Sequence, residues 1–159
     1  MPPSIANREY VAQMKGLRVL VVEDDAIVGM LLAEILVDLG CGVCAIETTA
    51  AGAVTAALLF KPDLMIVDAW LGNGSGIRAV DEIIQFGSVP HVFVSGDALG
   101  VQVLKPRAIV LQKPFRESDL TRAMRRALGR SDNGEPAGVT EHITAVTGAL
   151  RTKVPPRPL

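Results

Sequence analysis

The sequence predicts an α/β domain built on a parallel sheet, and three observations carry that reading. Apolar runs without polar alternation, such as Leu64-Met65-Ile66-Val67, read as strands covered on both faces. Five such strands alternate with segments that have helical periodicity or helix-capping signals. The run at Leu64 ends on a single carboxylate, Asp68, and then opens into Gly72, Gly74 and Gly76. In open parallel sheets ligands bind outside the carboxyl ends of the strands, so an acid delivered there is placed for chemistry as much as for packing. A cap on the following turn is the competing reading of Asp68, and this stretch alone does not separate the two.

Composition sets the limits. With 159 residues, 49% hydrophobic and 21% charged, the chain has room for one core and some surplus. A net charge of -1 leaves no electrostatic footprint for nucleic acid, so direct DNA binding is not expected. No apolar stretch approaches the ~20 residues of a membrane span. Met1-Pro2-Pro3-Ser4 lacks the basic and apolar regions of a signal peptide, and a cytoplasmic location is expected.

Residues 1–15 form a polar N-terminal extension, compatible with one helical turn through Tyr10, Val11 and Met14. The domain proper is expected over 16–130. Its first strand, 17–22, ends on Glu23, Asp24 and Asp25. Two unit charges ~4 Å apart repel by roughly 4 kcal/mol at a surface dielectric, so a cation should compensate this cluster. A solvated turn capping the next helix accounts for Asp25 alone. In that helix Val28, Leu31, Leu32, Ile35, Leu36 and Leu39 repeat as one buried face, and Gly40 ends it.

Cys41 and Cys44 make a Cys-x-x-Cys, which raises a redox reading. That chemistry needs the first thiol at a helix start, whereas this pair follows a helix and enters the strand 43–46. His91 and His142 are not spaced to complete a zinc site, so both cysteines read as small buried hydrophobes.

Thr48 or Thr49 caps an Ala-rich helix to about Phe60, broken by Lys61-Pro62-Asp63 before the Asp68 strand. A third helix is expected over 76–86. The strand 91–94 follows Val89-Pro90 and ends at Ser95-Gly96-Asp97; the strand 108–111 ends at Gln112-Lys113-Pro114-Phe115. The last helix, 117–128, buries Leu120, Ala123, Met124, Ala127 and Leu128. It also carries Arg116, Arg122, Arg125, Arg126 and Arg130, either a basic docking face or a solvated side with cations near a helix C-terminus. Residues 131–159 form a Gly/Pro-rich tail with a short helix over 139–150 as one reading.

The carboxyl edge thus collects Glu23, Asp24, Asp68, the hydroxyl of Ser95 and the ammonium of Lys113. Clustered oxygen ligands suit a hard divalent cation, most naturally Mg²⁺. Metal, lysine and hydroxyl together make a phosphoryl site in which Asp68 can serve as nucleophile.

This ordered set resembles the response-regulator receiver domain of bacterial two-component signalling over 16–129. The resemblance implies a flavodoxin-like, doubly wound three-layer α/β/α fold with five parallel strands in the order 2-1-3-4-5. It implies phosphorylation of Asp68 by the phosphohistidine of a sensor histidine kinase or histidine phosphotransfer protein. Mg²⁺ would be held by Asp24, Asp68 and the Trp70 carbonyl, with Glu23 acting mainly through water, and the bond before Pro114 would be cis. The implied role is a stand-alone signalling module, not an enzyme, that acts on an unidentified output protein. Its oligomeric state is left open.

Four departures accompany the match. Val110 stands three positions before Lys113, where receivers commonly carry an aromatic switch residue. Only 17 residues separate Ser95 from Lys113, so the fourth helix is short, irregular or missing. The segment 90–96 is similar to the Phe-Ala-Thr-Gly run of a receiver subset with an altered switching face. Gly72 replaces a frequent proline and frees the loop after Asp68. Alternatives in other classes are a Mg-dependent phosphohydrolase with an Asp nucleophile, a nucleotide-binding domain using Gly72-x-Gly74-x-Gly76, and a receiver-like module that is not phosphorylated. Haloacid-dehalogenase-type enzymes carry Asp-x-Asp after their first strand, which Glu23-Asp24-Asp25 does not supply; the glycine spacing is not the dinucleotide fingerprint.

Overall fold

The computed structural model describes residues 13–129. The expectations for 1–12, for Arg130 and for the tail with its helix at 139–150 lie outside the described residues.

Five parallel strands form one sheet: β1 (Arg18–Val22), β2 (Gly42–Glu47), β3 (Leu64–Asp68), β6 (His91–Ser95) and β7 (Val110–Gln112). Their order is β2-β1-β3-β6-β7, which is the expected 2-1-3-4-5 arrangement. Between them run α1 (Ala26–Asp38), α2 (Ala50–Phe60), α3 (Gly76–Ile84), α4 (Ala98–Leu104) and α5 (Glu117–Ala127). Every residue of β3 is buried because helices cover both sides of the sheet. On one face Val19, Val21, Ile66 and Val94 pack with Leu32 and Leu36 of α1 and Leu120 and Met124 of α5. On the other, Leu20, Met65, Val67 and Phe93 meet Ala53 and Ala57 of α2, Ile77 and Val80 of α3 and Val101 of α4. Two cores on opposite sides of one sheet follow from the period of two along each strand.

Local chemistry sets the helix limits. Asp25 caps α1 by accepting from the N–H groups of Ile27 and Val28, and Thr49 caps α2 by accepting from Gly52. Gly40, at φ +89, turns the chain out of α1, and Cys41 N–H reaches back to the Leu36 carbonyl. Met14, in the segment read as a polar lead-in, is fully buried beneath α1 and α5.

Several element-level expectations are corrected. Leu31 was assigned to the buried face of α1 but is 55% exposed, and Ile27, Met30 and Val37 are exposed with it. The helix is apolar almost all round, so spacing alone cannot choose its inner face. Arg125 is buried, so it does not belong to a solvated basic face of α5. Ala127 and Leu128 are only partly buried. The fifth strand begins at Val110, and α3 ends at Ile84. The loop after Asp68 contains an unanticipated antiparallel ribbon, β4 (Trp70–Leu71) with β5 (Gly74–Ser75). As expected, α4 is short, and Val101 is its only fully buried apolar side chain.

Candidate functional site

The three acids after β1 have three different fates. Glu23 is buried at 3% exposure, and its Oε2 takes the Lys113 ammonium at 2.9 Å. Asp24 is exposed and its Oδ2 accepts the Gly72 N–H at 2.9 Å, tying the end of β1 to the loop after β3. Asp25 is spent on capping α1. Asp68, the last residue of β3, is buried at 8% exposure; its Oδ1 accepts the Trp70 N–H at 3.0 Å and its Oδ2 meets Lys113 Nζ at 3.1 Å.

Glu23, Asp24 and Asp68 each offer a carboxylate oxygen within 4.8 Å of the others. Burial pushes the Glu23 carboxyl above its ordinary range; the Lys113 hydrogen bond opposes that shift and the Asp68 charge adds to it. For Lys113, burial lowers the ammonium pKa, but the bonds to Glu23 and Asp68 outweigh it and the net direction is upward. Three carboxylates against one ammonium leave two negative charges, and all the donor atoms are oxygen. That donor set and charge fit a hard dication such as Mg²⁺.

Ser95 closes the edge at the end of β6, buried at 1% exposure. Its Oγ accepts the Asp97 N–H at 2.9 Å, and its carbonyl accepts the Lys113 N–H at 2.8 Å. The Lys113–Pro114 bond is cis. Trp70 follows two residues after Asp68, its side chain 45% exposed. Glu23, Asp24, Asp68, Ser95 and Lys113 therefore meet at one sheet edge, as their strand-end positions predict. Gly76 was not singled out for this role: a Cβ there would overlap the carbonyl oxygen of Asp68, so α3 starts directly against the acid's own backbone. Its glycine run in sequence was the available signal. Nothing in sequence flagged the Gly72 amide as a partner of Asp24.

The cysteines take no part. Both are free thiols, with Cys41 donating to the Met14 carbonyl and Cys44 to that of Val19. Burial raises both pKa values, the opposite of what a reactive thiol needs.

Comparison with known proteins decides the family. Residues 19–125 match the response regulator receiver domain. The chain belongs to that family. This receiver is 33% identical over 153 residues to the transcriptional regulatory protein PdtaR of Mycobacterium tuberculosis, covering 86% of this chain and 74% of that protein. It is 30% identical over 117 residues to the chemotaxis protein CheY of Thermotoga maritima, covering 70% of this chain and 97% of CheY. The solution structure of the PhyR receiver domain from Erythrobacter litoralis superposes with a TM-score of 0.66 at 29% identity, covering 73% of this chain and 92% of that domain. The receiver is thus a two-component signalling module with an acidic, metal-competent site. Among its described residues no helix is long and apolar enough to cross a membrane.

Proposed function

We propose that this chain is a phosphorylatable receiver in which Asp68 accepts a phosphoryl group from the phosphohistidine of a sensor histidine kinase or histidine phosphotransfer protein, and that it signals through contacts with an output protein. The observation that carries the reading is the carboxylate of Asp68, buried at a strand end between Lys113 and two further acids. Attack by an Asp68 oxygen on phosphorus forms an acyl phosphate as the bond to the donor's imidazole nitrogen breaks and that ring leaves with its electron pair. Lys113, already at bonding distance from Asp68, neutralises charge on the transferred oxygens. Ser95 supplies a hydroxyl proton to one of them. Asp24, Asp68 and the Trp70 carbonyl would hold Mg²⁺, with Glu23 acting mainly through water. The ion supplies charge neutralisation that one lysine cannot provide alone. We take the working unit as 16–130, flanked by the extension 1–15 and the tail 131–159, and acting in the cytoplasm.

Incubation with acetyl phosphate and Mg²⁺ followed by intact-mass measurement tests this. Wild-type protein gains the mass of one phosphoryl group, and Asp68→Asn gains none. Labelling of that variant at the wild-type rate removes Asp68 from the role.

A further inference from the structure

The loop between Ser95 and α4 is held by a side chain outside the acidic site. Gln112, paired with Ser95 across β6 and β7, turns its amide over the end of the sheet. Its Oε1 accepts the Ala98 N–H at 2.9 Å, the amide that opens α4. Its Nε2 donates to the Gly96 carbonyl at 2.7 Å and to the Lys113 carbonyl at 3.0 Å. The amide's orientation is set by these neighbours, since a reversed one would face oxygen with oxygen at both carbonyls. A single side chain thus joins the peptide after Ser95, the first turn of α4 and the peptide after Lys113's Cα, which belong to the two strands that supply the hydroxyl and the ammonium.

The loop has little else to hold it. Asp97 caps α4 by accepting the Gly100 N–H, Val101 is the helix's only fully buried apolar anchor, and Leu99, Val103 and Leu104 are exposed. Val110 lies against the core on the α2–α4 face and has no ring that could exchange between inner and outer positions.

We infer that Gln112 is a positioning residue that latches the Ser95 loop in its resting place, so that drawing Ser95 toward a phosphoryl group on Asp68 requires release of the Gly96 carbonyl. The inference rests on the phosphoryl reading of Asp68 above. Ser95 Oγ bonds the Asp97 amide and none of the site's carboxylates, so its hydroxyl must advance to reach an oxygen beyond Asp68. Gly96 follows Ser95 directly and its carbonyl is held at 2.7 Å, whereas the Lys113 end of the latch is anchored by the ladder bond to the Ser95 carbonyl. Loss of the latch therefore favours the phosphoryl-bound arrangement.

The test uses beryllium fluoride with Mg²⁺ as the phosphoryl probe and Trp70 fluorescence as the readout, comparing the full chain with its Gln112→Met variant, which keeps the length and removes the donors and acceptor. The variant is expected to bind the probe about fivefold more tightly, the equivalent of roughly 1 kcal/mol for one net hydrogen bond. Mg²⁺ affinity stays unchanged. Amide exchange at Ala98 in the unmodified, probe-free variant should accelerate by a similar factor. A merely structural loss would weaken the probe instead, so tightening separates the two roles. Unchanged or weaker probe binding by a variant whose wild-type parent binds normally overturns the latch alone, as does unchanged Ala98 exchange. Wild-type protein that binds no beryllium fluoride overturns the phosphoryl reading and the latch with it.

Discussion

Among the residues of the site, two neighbours with the same charge do opposite work. Asp24 Oδ2 holds the Gly72 amide and faces Glu23 and Asp68, whereas Asp25 Oδ1 is taken by the first amides of α1. Asp24→Ala should weaken Mg²⁺ binding by roughly tenfold or more, about 1.4 kcal/mol. Asp25→Ala should leave that affinity near wild type and lower stability by about 1 kcal/mol, the usual cost of a lost N-cap. Trp70 fluorescence titration and thermal melts read the two effects; equal metal affinities would contradict the assignment. Gly76 makes a second residue-scale prediction. Because a Cβ would overlap the Asp68 carbonyl, Gly76→Ala must displace the end of β3 or the start of α3. A cost of about 1–3 kcal/mol is expected, typical of overpacking. A melt indistinguishable from wild type would mean the turn has slack.

Among the elements, α1 shows how periodicity and burial part company. Leu36 is fully buried between α1 and the sheet, while Leu31 is 55% exposed on the same helix. Leu36→Ala should cost about 2–5 kcal/mol by leaving a cavity. Leu31→Ala should stay within about 0.5 kcal/mol, as for an exposed site away from special features. Denaturant unfolding of the two variants distinguishes them, and similar losses would place Leu31 back in the core. A helix made almost wholly of apolar residues presents no polar stripe to mark its outside, and only the packed sheet selects the inner face. The antiparallel ribbon after Asp68 escaped notice for a related reason. Two-residue strands are too short to show any period, and this one exists because Trp70 and Leu71 fold back onto Ser75 and Gly74.

At the scale of the whole molecule, the route from Asp68 to a partner runs along the carboxyl edge through the loop after Ser95. With Val110 in place of an aromatic residue and α4 anchored by Val101 alone, residues 96–107 lie at the low-stability end of the fold. Hydrogen exchange with and without beryllium fluoride should change most within 96–107 and little around Val110. A difference confined to 69–76 would mean that the signal leaves through the β4–β5 ribbon.

The sequence by itself determined the class of fold, the strand order through its family resemblance, and the membership of the site. Each of these depends on local facts: apolar runs of strand length, caps at Asp25 and Thr49, and polar residues placed one step past a strand end. Glu23, Asp24, Asp68, Ser95 and Lys113 were legible because a parallel sheet carries every strand's last residue to the same edge. Only the tertiary structure decided how these residues divide their roles. Which of three consecutive acids is buried depends on the reach of Lys113, 90 residues away. Whether Arg125 faces solvent depends on the angle at which α5 lies on the sheet, and the face α1 buries depends on what it meets there. Gln112 carried no signal in sequence, because an amide becomes a latch only where one N–H and two carbonyls from separate segments converge on it. Such convergence is a property of packing, and no local pattern encodes it.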